Sequence, residues 1–258
     1  MTQASEHTID ELLGGDVSSE FMLVCEHASN HIPEKYNSLG LTEDLLESHI
    51  AWDPGAAIVT RRISQKLGAP ALLGGASRLL YDCNRPPEAV DAIPARSEVF
   101  DVPGNQNLSA LEVQSRIDAY YRPFRAALSS ALDQRPTSLA LVTIHSFTPV
   151  YRGNKRDVEI GILHDEDPRL ADAMLHLAPN HTDMLVLKNE PYGPDDGVMH
   201  TLKEHGISRG ILNVMIEVRN DFLQSESQCL AIADLLANLL SDAMKICVEP
   251  PTAQRANL

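Results

Sequence analysis

The chain lacks the features that mark secreted, membrane-spanning or nucleic-acid-binding proteins. Its four cysteines stand far apart at positions 25, 83, 229 and 247, with no Cys-x-x-Cys pair. That spacing argues against both a zinc knuckle and a disulfide framework. No apolar run approaches the roughly 18–20 residues of a membrane span. Positive charge is scarce: 21 Lys and Arg face 36 Asp and Glu, for a net charge of −15 over 258 residues. Non-specific binding to nucleic acid or anionic membrane needs the opposite balance, although a few arginines in a cleft still suffice to hold an anionic small molecule. The opening stretch MTQASEHTIDELLGGD has neither a basic n-region nor an apolar h-region, so no signal peptide is expected. The composition predicts a cytoplasmic protein with a small-molecule partner and no nucleic-acid or membrane partner.

What the chain does have is a set of short apolar, β-branched runs alternating with amphipathic segments. Strands are expected near 21–27, 139–145, 158–164, 184–188 and 211–218. The segment PALLGGASRLLYD also reads as extended. Helices are expected over 42–53 behind Thr42 as N-cap, over 56–67 ended by Gly68, over 109–134 behind a Ser109/Glu112 capping box, over 168–177, in HTLKEHG, and over 225–247. Pro123 should kink or split the long helix. Pro86 to Asn107 is a polar stretch long enough to serve as a lid or binding loop. Alternating strands and helices predict an α/β fold, a three-layer sandwich whose central mixed, mostly parallel sheet is flanked by helices. One domain over 1–258 is expected, with residues 1–20 polar and frayed.

Three of the strands end on residues suited to metal chemistry: FMLVCEH on His27, LALVTIH on His145 and ILNVMIE on Glu217. In α/β sheets the carboxyl ends of the strands open into the ligand crevice, and neutral imidazole is a common zinc ligand. A carboxylate behind five apolar residues is desolvated, which lifts its pKa toward that of a useful general base. The plainer reading makes each of them a polar strand end, with Glu217 paired to Arg219. The segment SRLLYDCNR offers Arg78, Asp82, Asn84 and Arg85, a pattern suited to clamping a carboxylate or polarising a carbonyl, or to surface ion pairs.

Taken in order, VCEHASN, HIAWD, SRLLYDCNR, IHSF, NEPY–DG and IEVRND resemble the N-formylglutamate amidohydrolase family over about residues 21 to 224. That family resembles in turn the zinc carboxypeptidase and aspartoacylase group, whose His-x-x-Glu, Arg, Asn-Arg, His and Glu pattern falls here on His27, Arg78, Asn84-Arg85, His145 and Glu217. Two positions depart from the pattern. Asn30 stands where the group has its ligand glutamate, and Glu-His-Ala-Ser replaces the family's Pro-His-Ser-Gly. The resemblance implies one zinc ion held by His27, His145 and Asp53, with Glu26, His31 and His49 as other candidates for the third ligand. It further implies Glu217 as base, Arg78 on the scissile carbonyl, and Asn84 and Arg85 on a substrate carboxylate. Asn189, Tyr192 and His200 would line the pocket. The implied reaction is hydrolysis of the N-acyl amide of an acidic amino acid such as N-formylglutamate. Alternatives are a deacylase or carboxypeptidase with a different acyl substrate, and a non-catalytic binder of carboxylate metabolites.

Overall fold

The three apolar runs become adjacent strands. The computed structural model describes residues 10–16, 18–135 and 139–248. In chain order these form β1 (Glu11–Leu13), β2 (Phe21–Cys25), α1 (Glu43–Leu46), α2 (Ala56–Leu67), β3 (Ala71–Leu73), β4 (Arg96–Ser97) and β5 (Phe100–Asp101). There follow α3 (Ala110–Arg116), α4 (Arg122–Asp133), β6 (Ala140–Phe147), β7 (Val150–Tyr151), β8 (Asn154–Lys155) and β9 (Ile160–Leu163). The last elements are α5 (Arg169–His181), β10 (Val186–Lys188), β11 (Leu212–Arg219) and α6 (Glu226–Val248). The central sheet has seven strands in the order β1-β3-β2-β6-β11-β9-β10. The run β3-β2-β6-β11 is parallel, β1 and β9 join it antiparallel, and β10 is parallel to β9. This is the mixed, mostly parallel α/β architecture that the sequence pattern implies.

Strands buried on both faces need apolar side chains at every position, and the two faces divide these residues by alternation. Leu23, Cys25, Val142, Ile144, Val214 and Ile216 pack against α2, α5 and α6. Met22, Val24, Leu141 and Met215 point the other way, against Phe124, Leu128 and Leu132 of α4 and Leu202. The same period of two sends His145 and Glu217 to the α4 side, next to each other in register. Among the described residues no helix is long and apolar enough to cross a membrane.

Local chemistry explains where the elements depart from the sequence pattern. The helix expected over 42–53 stops after Leu46 because side chains take its carbonyls. Asn30 Nδ2 donates to Leu46 O (3.0 Å), Ser48 Oγ to Leu45 O (2.8 Å) and Trp52 Nε1 to Glu47 O (3.0 Å). In PALLGGASRLLYD only Ala71–Leu73 is a strand, and the rest turns back across the site. The capping box at Ser109 and Glu112 is present. Pro123, which has no N–H to give, follows a π-helical turn at Ile117–Tyr121 that separates α3 from α4. The short helix expected in HTLKEHG is a π turn at Leu202–Gly206 running into a 3₁₀ turn at Ile207–Arg209. Glu11–Leu13, inside the stretch expected to be frayed, pairs with β3, and Arg61 grips the Glu11 carboxylate.

Two glycines fix the loops around the site. Gly55 caps α2 with φ +83°, and a Cβ there would sit 2.5 Å from Leu223 Cβ. Gly161 on β9 lies opposite Glu217, and a Cβ on it would come within 1.9 Å of the Glu190 carbonyl oxygen. Gly161→Ala therefore pushes the 189–192 segment off the sheet, with an expected destabilisation of about 1–3 kcal/mol. Urea midpoints of the two proteins check this; equal midpoints would show that the segment gives way freely.

Candidate metal centre and active-site cleft

The carboxyl ends of β2 and β6 bring His27 and His145 together, with ring centroids 4.9 Å apart. Asp53 reaches the same point from the chain break before α2. Its backbone N donates to His27 O (3.0 Å), while its carbonyl accepts from Ala56 N (3.1 Å). Ser146 Oγ donates to Pro54 O (2.8 Å), so the Asp53-Pro54 turn is tied to β6 as well. The outcome is a buried triad. Asp53 Oδ2 lies 3.2 Å from His27 Nδ1 and 2.9 Å from His145 Nδ1, and also accepts from Ser146 N (3.3 Å).

The far nitrogen of each imidazole meets a second carboxylate. His27 Nε2 is 2.7 Å from Asp82 Oδ1. His145 Nε2 is 3.2 Å from Glu26 Oε2 without hydrogen-bond alignment, and both atoms are buried without a hydrogen-bond partner. Histidines that hold metals are commonly backed in this way, which fixes the proton on the outer nitrogen. With the His27 proton on Nε2, its Nδ1 offers a lone pair toward Asp53, and His145 Nδ1 faces the same oxygen. A cation or protons at the centre would satisfy all three groups.

The donor set suits a metal ion. The three ligand atoms lie within 4.8 Å of one another. The 3.2 and 2.9 Å edges are close to the roughly 3.3 Å between ligand atoms in a tetrahedral zinc site. The buried group His27, Asp53 and His145 could thus hold a metal ion. Protons can take the part of a cation here: burial depresses the His145 pKa, but Glu26 and Asp53 outweigh that and raise it well above the usual value. Burial likewise works to lift the Asp53 pKa, while the two imidazoles hold it below the carboxylate range.

Of the other candidates for third ligand, Glu26 stands behind His145, on the side away from Asp53. His31 is exposed. His49 sits at the rim of the cleft, with Nε2 2.9 Å from Glu98 Oε2. Asn30, at the position of the missing ligand glutamate, spends its amide on Leu46 O.

Above the triad opens a cleft of about 820 Å³, its mouth included, lined by Arg78, Arg85, Tyr192 and Glu217 among others. Arg78 spans two carboxylates, with Nη2 2.7 Å from Asp82 Oδ2 and Nη1 3.4 Å from Asp53 Oδ1. Asn84 lines the cleft, but its amide is engaged at both ends. Nδ2 donates to Val198 O (2.6 Å) and Oδ1 accepts from Thr201 N (3.0 Å). Arg85 donates through Nε to Asp91 (2.9 Å) and through Nη1 to Asn84 O (3.1 Å).

Asn189 and His200, expected in the pocket, are placed elsewhere. Asn189 Oδ1 accepts from His164 N (2.9 Å), and His200 Nε2 meets the Tyr121 hydroxyl at 2.9 Å. Neither lines the cleft. Asp82, which the sequence presents only as part of SRLLYDCNR, backs His27 directly. Its i,i+4 spacing from Arg78 was the available signal, although no helix runs there. Two hairpins roof the mouth. Glu98, at the turn between β4 and β5, accepts from Arg152 N (3.0 Å) at the turn between β7 and β8.

Glu217 lies beside His145 across the β6–β11 pairing, buried, with Oε2 unpartnered. Burial raises its pKa from 4.5 to about 7, against the pull of His145. Because the folded-state value lies above that of the unfolded chain, the stabilising difference is full below about 4.5 and is lost as pH rises through about 7. At about 1.4 kcal/mol per pH unit, deprotonation costs the metal-free fold about 3 kcal/mol. Metal-free Glu217→Gln should accordingly gain up to that much over the wild-type protein between pH 5 and pH 8. Denaturant midpoints at the two pH values measure the gain, and parallel profiles would contradict an unpaired buried carboxyl.

The model of a family described as N-formylglutamate amidohydrolase matches residues 19–223. A crystal structure of a gene product from Agrobacterium tumefaciens is 48% identical, covering 93% of this chain and 96% of that one with a TM-score of 0.90. The N-formylglutamate amidohydrolase of Ralstonia eutropha JMP134 is 18% identical over 93% of this chain and 97% of that one, with a TM-score of 0.56; at that distance the likeness speaks for the fold. No curated protein matches the chain.

Proposed function

Since the chain belongs to the N-formylglutamate amidohydrolase family, hydrolases of linear amides, we propose that it removes the formyl-type acyl group of an acidic N-acylamino acid such as N-formylglutamate. The observation that carries this reading is the pairing of Glu217 with His145 across neighbouring strands. It sets an unpartnered, buried carboxylate of near-neutral pKa beside the candidate metal centre.

His27, Asp53 and His145 would hold one zinc ion, which supplies a Lewis acid and lowers the pKa of a water toward about 7. Glu217 removes a proton from the attacking water as the new C–O bond forms. It then delivers that proton to the nitrogen as the C–N bond breaks, releasing the acyl acid and the free amine. Arg78, anchored on Asp82 and Asp53, presents its guanidinium to the carbonyl oxygen as negative charge builds there. Arg85 holds a substrate carboxylate, its Nε and Nη1 being fixed by Asp91 and Asn84. Asn84 is assigned a supporting part, bracing the segment 198–201. Tyr192 packs against the substrate. Asp82 orients His27, and Glu26 faces His145 from behind.

Three measurements test the reading. Purified protein should contain about one zinc per chain, and a metal-free protein with no hydrolysis on zinc addition would sink it. Glu217→Gln should keep the metal and lose turnover by several orders of magnitude; a near-normal rate removes Glu217 from the mechanism. Asp82→Asn should weaken zinc binding by about 10–100-fold in a chelator competition, and unchanged affinity would relieve Asp82 of its part. Rates on N-formyl-, N-acetyl- and N-succinyl-amino acids, compared side by side, identify the acyl group.

A further inference from the structure

Arg156 has an environment unlike that of Arg78, Arg85 and Arg219. Arg78 is paired with Asp53 and Asp82, Arg85 with Asp91, and Arg219 with Asp221. Among the described residues no carboxylate pairs with Arg156. Its guanidinium carbon lies instead over three aromatic rings: Tyr151 at 4.5 Å, Tyr192 at 4.7 Å and Phe147 at 5.6 Å. Nη1 donates to the Tyr192 hydroxyl (3.0 Å) and more distantly to Thr148 O (3.4 Å). All three rings line the cleft.

The backbone beneath this side chain is tied down on both sides. Arg156 N donates to Pro149 O (2.9 Å), and Arg156 O accepts from Arg219 Nη1 (3.0 Å). Tyr192 connects the arginine to the reaction centre, since the charges of Glu217 and Arg78 act on the hydroxyl that Arg156 touches.

Aromatic faces attract a guanidinium but leave its in-plane N–H donors free. A cation sheathed by rings, partly desolvated and without a counter-ion, gains most from an anion whose two oxygens lie in the guanidinium plane, as a carboxylate's do. The protein itself supplies none, so the anion that fits is one the ligand brings. Arg85 already accounts for one substrate carboxylate and lines the cleft from the loop after β3, whereas Arg156, on the segment after the β7–β8 hairpin, packs against Phe147, Thr148, Tyr151 and Tyr192 of its wall. Two cations arriving from separate elements suit a ligand with two carboxylates.

We propose that Arg156, in its sleeve of Phe147, Tyr151 and Tyr192, is the specificity residue that recognises the side-chain carboxylate of an N-acyl dicarboxylic amino acid, while Arg85 holds the α-carboxylate. This rests on the amidohydrolase reading above. The arginine touches substrate but takes no part in proton transfer, so its effect appears in the choice between substrates.

The test compares N-formylglutamate with the near-isosteric, uncharged N-formylglutamine, by kcat/KM and by calorimetric binding, in zinc-loaded wild-type protein, Arg156→Met, Arg156→Lys and Tyr192→Phe. The wild-type protein should favour the glutamate compound by about 10–100-fold, the worth of one charged hydrogen-bonded contact. Arg156→Met keeps the stem and the packing, and should collapse that ratio to a few-fold. Arg156→Lys keeps the charge but not the fork, and should fall between. Tyr192→Phe removes the hydroxyl contact and keeps the cation, so the ratio should persist.

Equal loss on both substrates in Arg156→Met, or collapse of the ratio in Tyr192→Phe alone, would make Arg156 a support for Tyr192 and overturn the proposal. So would a wild-type protein indifferent to the two compounds. If nothing is hydrolysed but the wild-type protein still binds glutamate over glutamine and Arg156→Met does not, the hydrolase reading fails and the specificity assignment stands. Should Arg156→Met unfold, the Arg156→Lys ratio decides: an unchanged value overturns the proposal, and a reduced one with intact Tm supports it.

Discussion

A single carboxylate oxygen organises the site: Asp53 Oδ2, set between the inner nitrogens of His27 and His145 and buried from solvent. Placing so much unbalanced polarity out of water is unfavourable unless each group has a partner. The surrounding structure can be followed outward from that requirement. Asp82 and Glu26 back the imidazoles, Arg78 balances Asp82 and Asp53, and the backbone of Ser146 adds a donor. The main chain repeats the arrangement, since Asp53 N binds the His27 carbonyl and the Asp53-Pro54 turn is fastened to β6. The helix break before α2 is thus part of the same construction, and Gly55, packed against Leu223, allows it.

The sheet supplies the second constraint. Glu217 is adjacent to His145 because β6 and β11 run parallel in that register, and both side chains emerge on the α4 face. On the other side of β11 the neighbour is Gly161 of an antiparallel strand. Glu217 is therefore flanked by an imidazole on one side and by no side chain on the other. That asymmetry leaves its outer oxygen buried yet unpartnered, the condition in which a carboxylate's affinity for a proton rises toward neutrality.

Much of this was legible in the sequence, for definite reasons. Apolar runs of five to eight residues between turn signals read as central strands, and the polar residue at the end of each run is conspicuous because the run cannot otherwise tolerate it. That is why His27, His145 and Glu217 stood out. Asp53 came from the motif resemblance and from the Pro-Gly break beside it. What the sequence could not show is where side chains are already committed. Asn84 and Asn189 look like ligand-binding amides in their motifs, yet their hydrogen-bonding groups serve the backbone of other segments. His200 is joined to Tyr121, seventy-nine residues away along the chain. The part Asp82 plays is hidden for the converse reason, because its partner His27 lies fifty-five residues distant. The helix expected over 42–53 is cut to one turn because its carbonyls are taken by Asn30, Ser48 and Trp52.

The floor of the cleft and its roof are built from different materials. The floor is sheet, with His27, His145 and Glu217 at or just past strand ends and Asp53 on a turn bonded to one. The roof is a pair of two-residue-strand hairpins whose turns meet where the Glu98 carboxylate accepts the Arg152 backbone N–H, with His49 on the same side chain. Lengthening or shortening either hairpin resizes the entrance without moving an atom of the floor. Entrance and floor are thus separable, and a change in the shape of what is admitted need not disturb the groups beneath it.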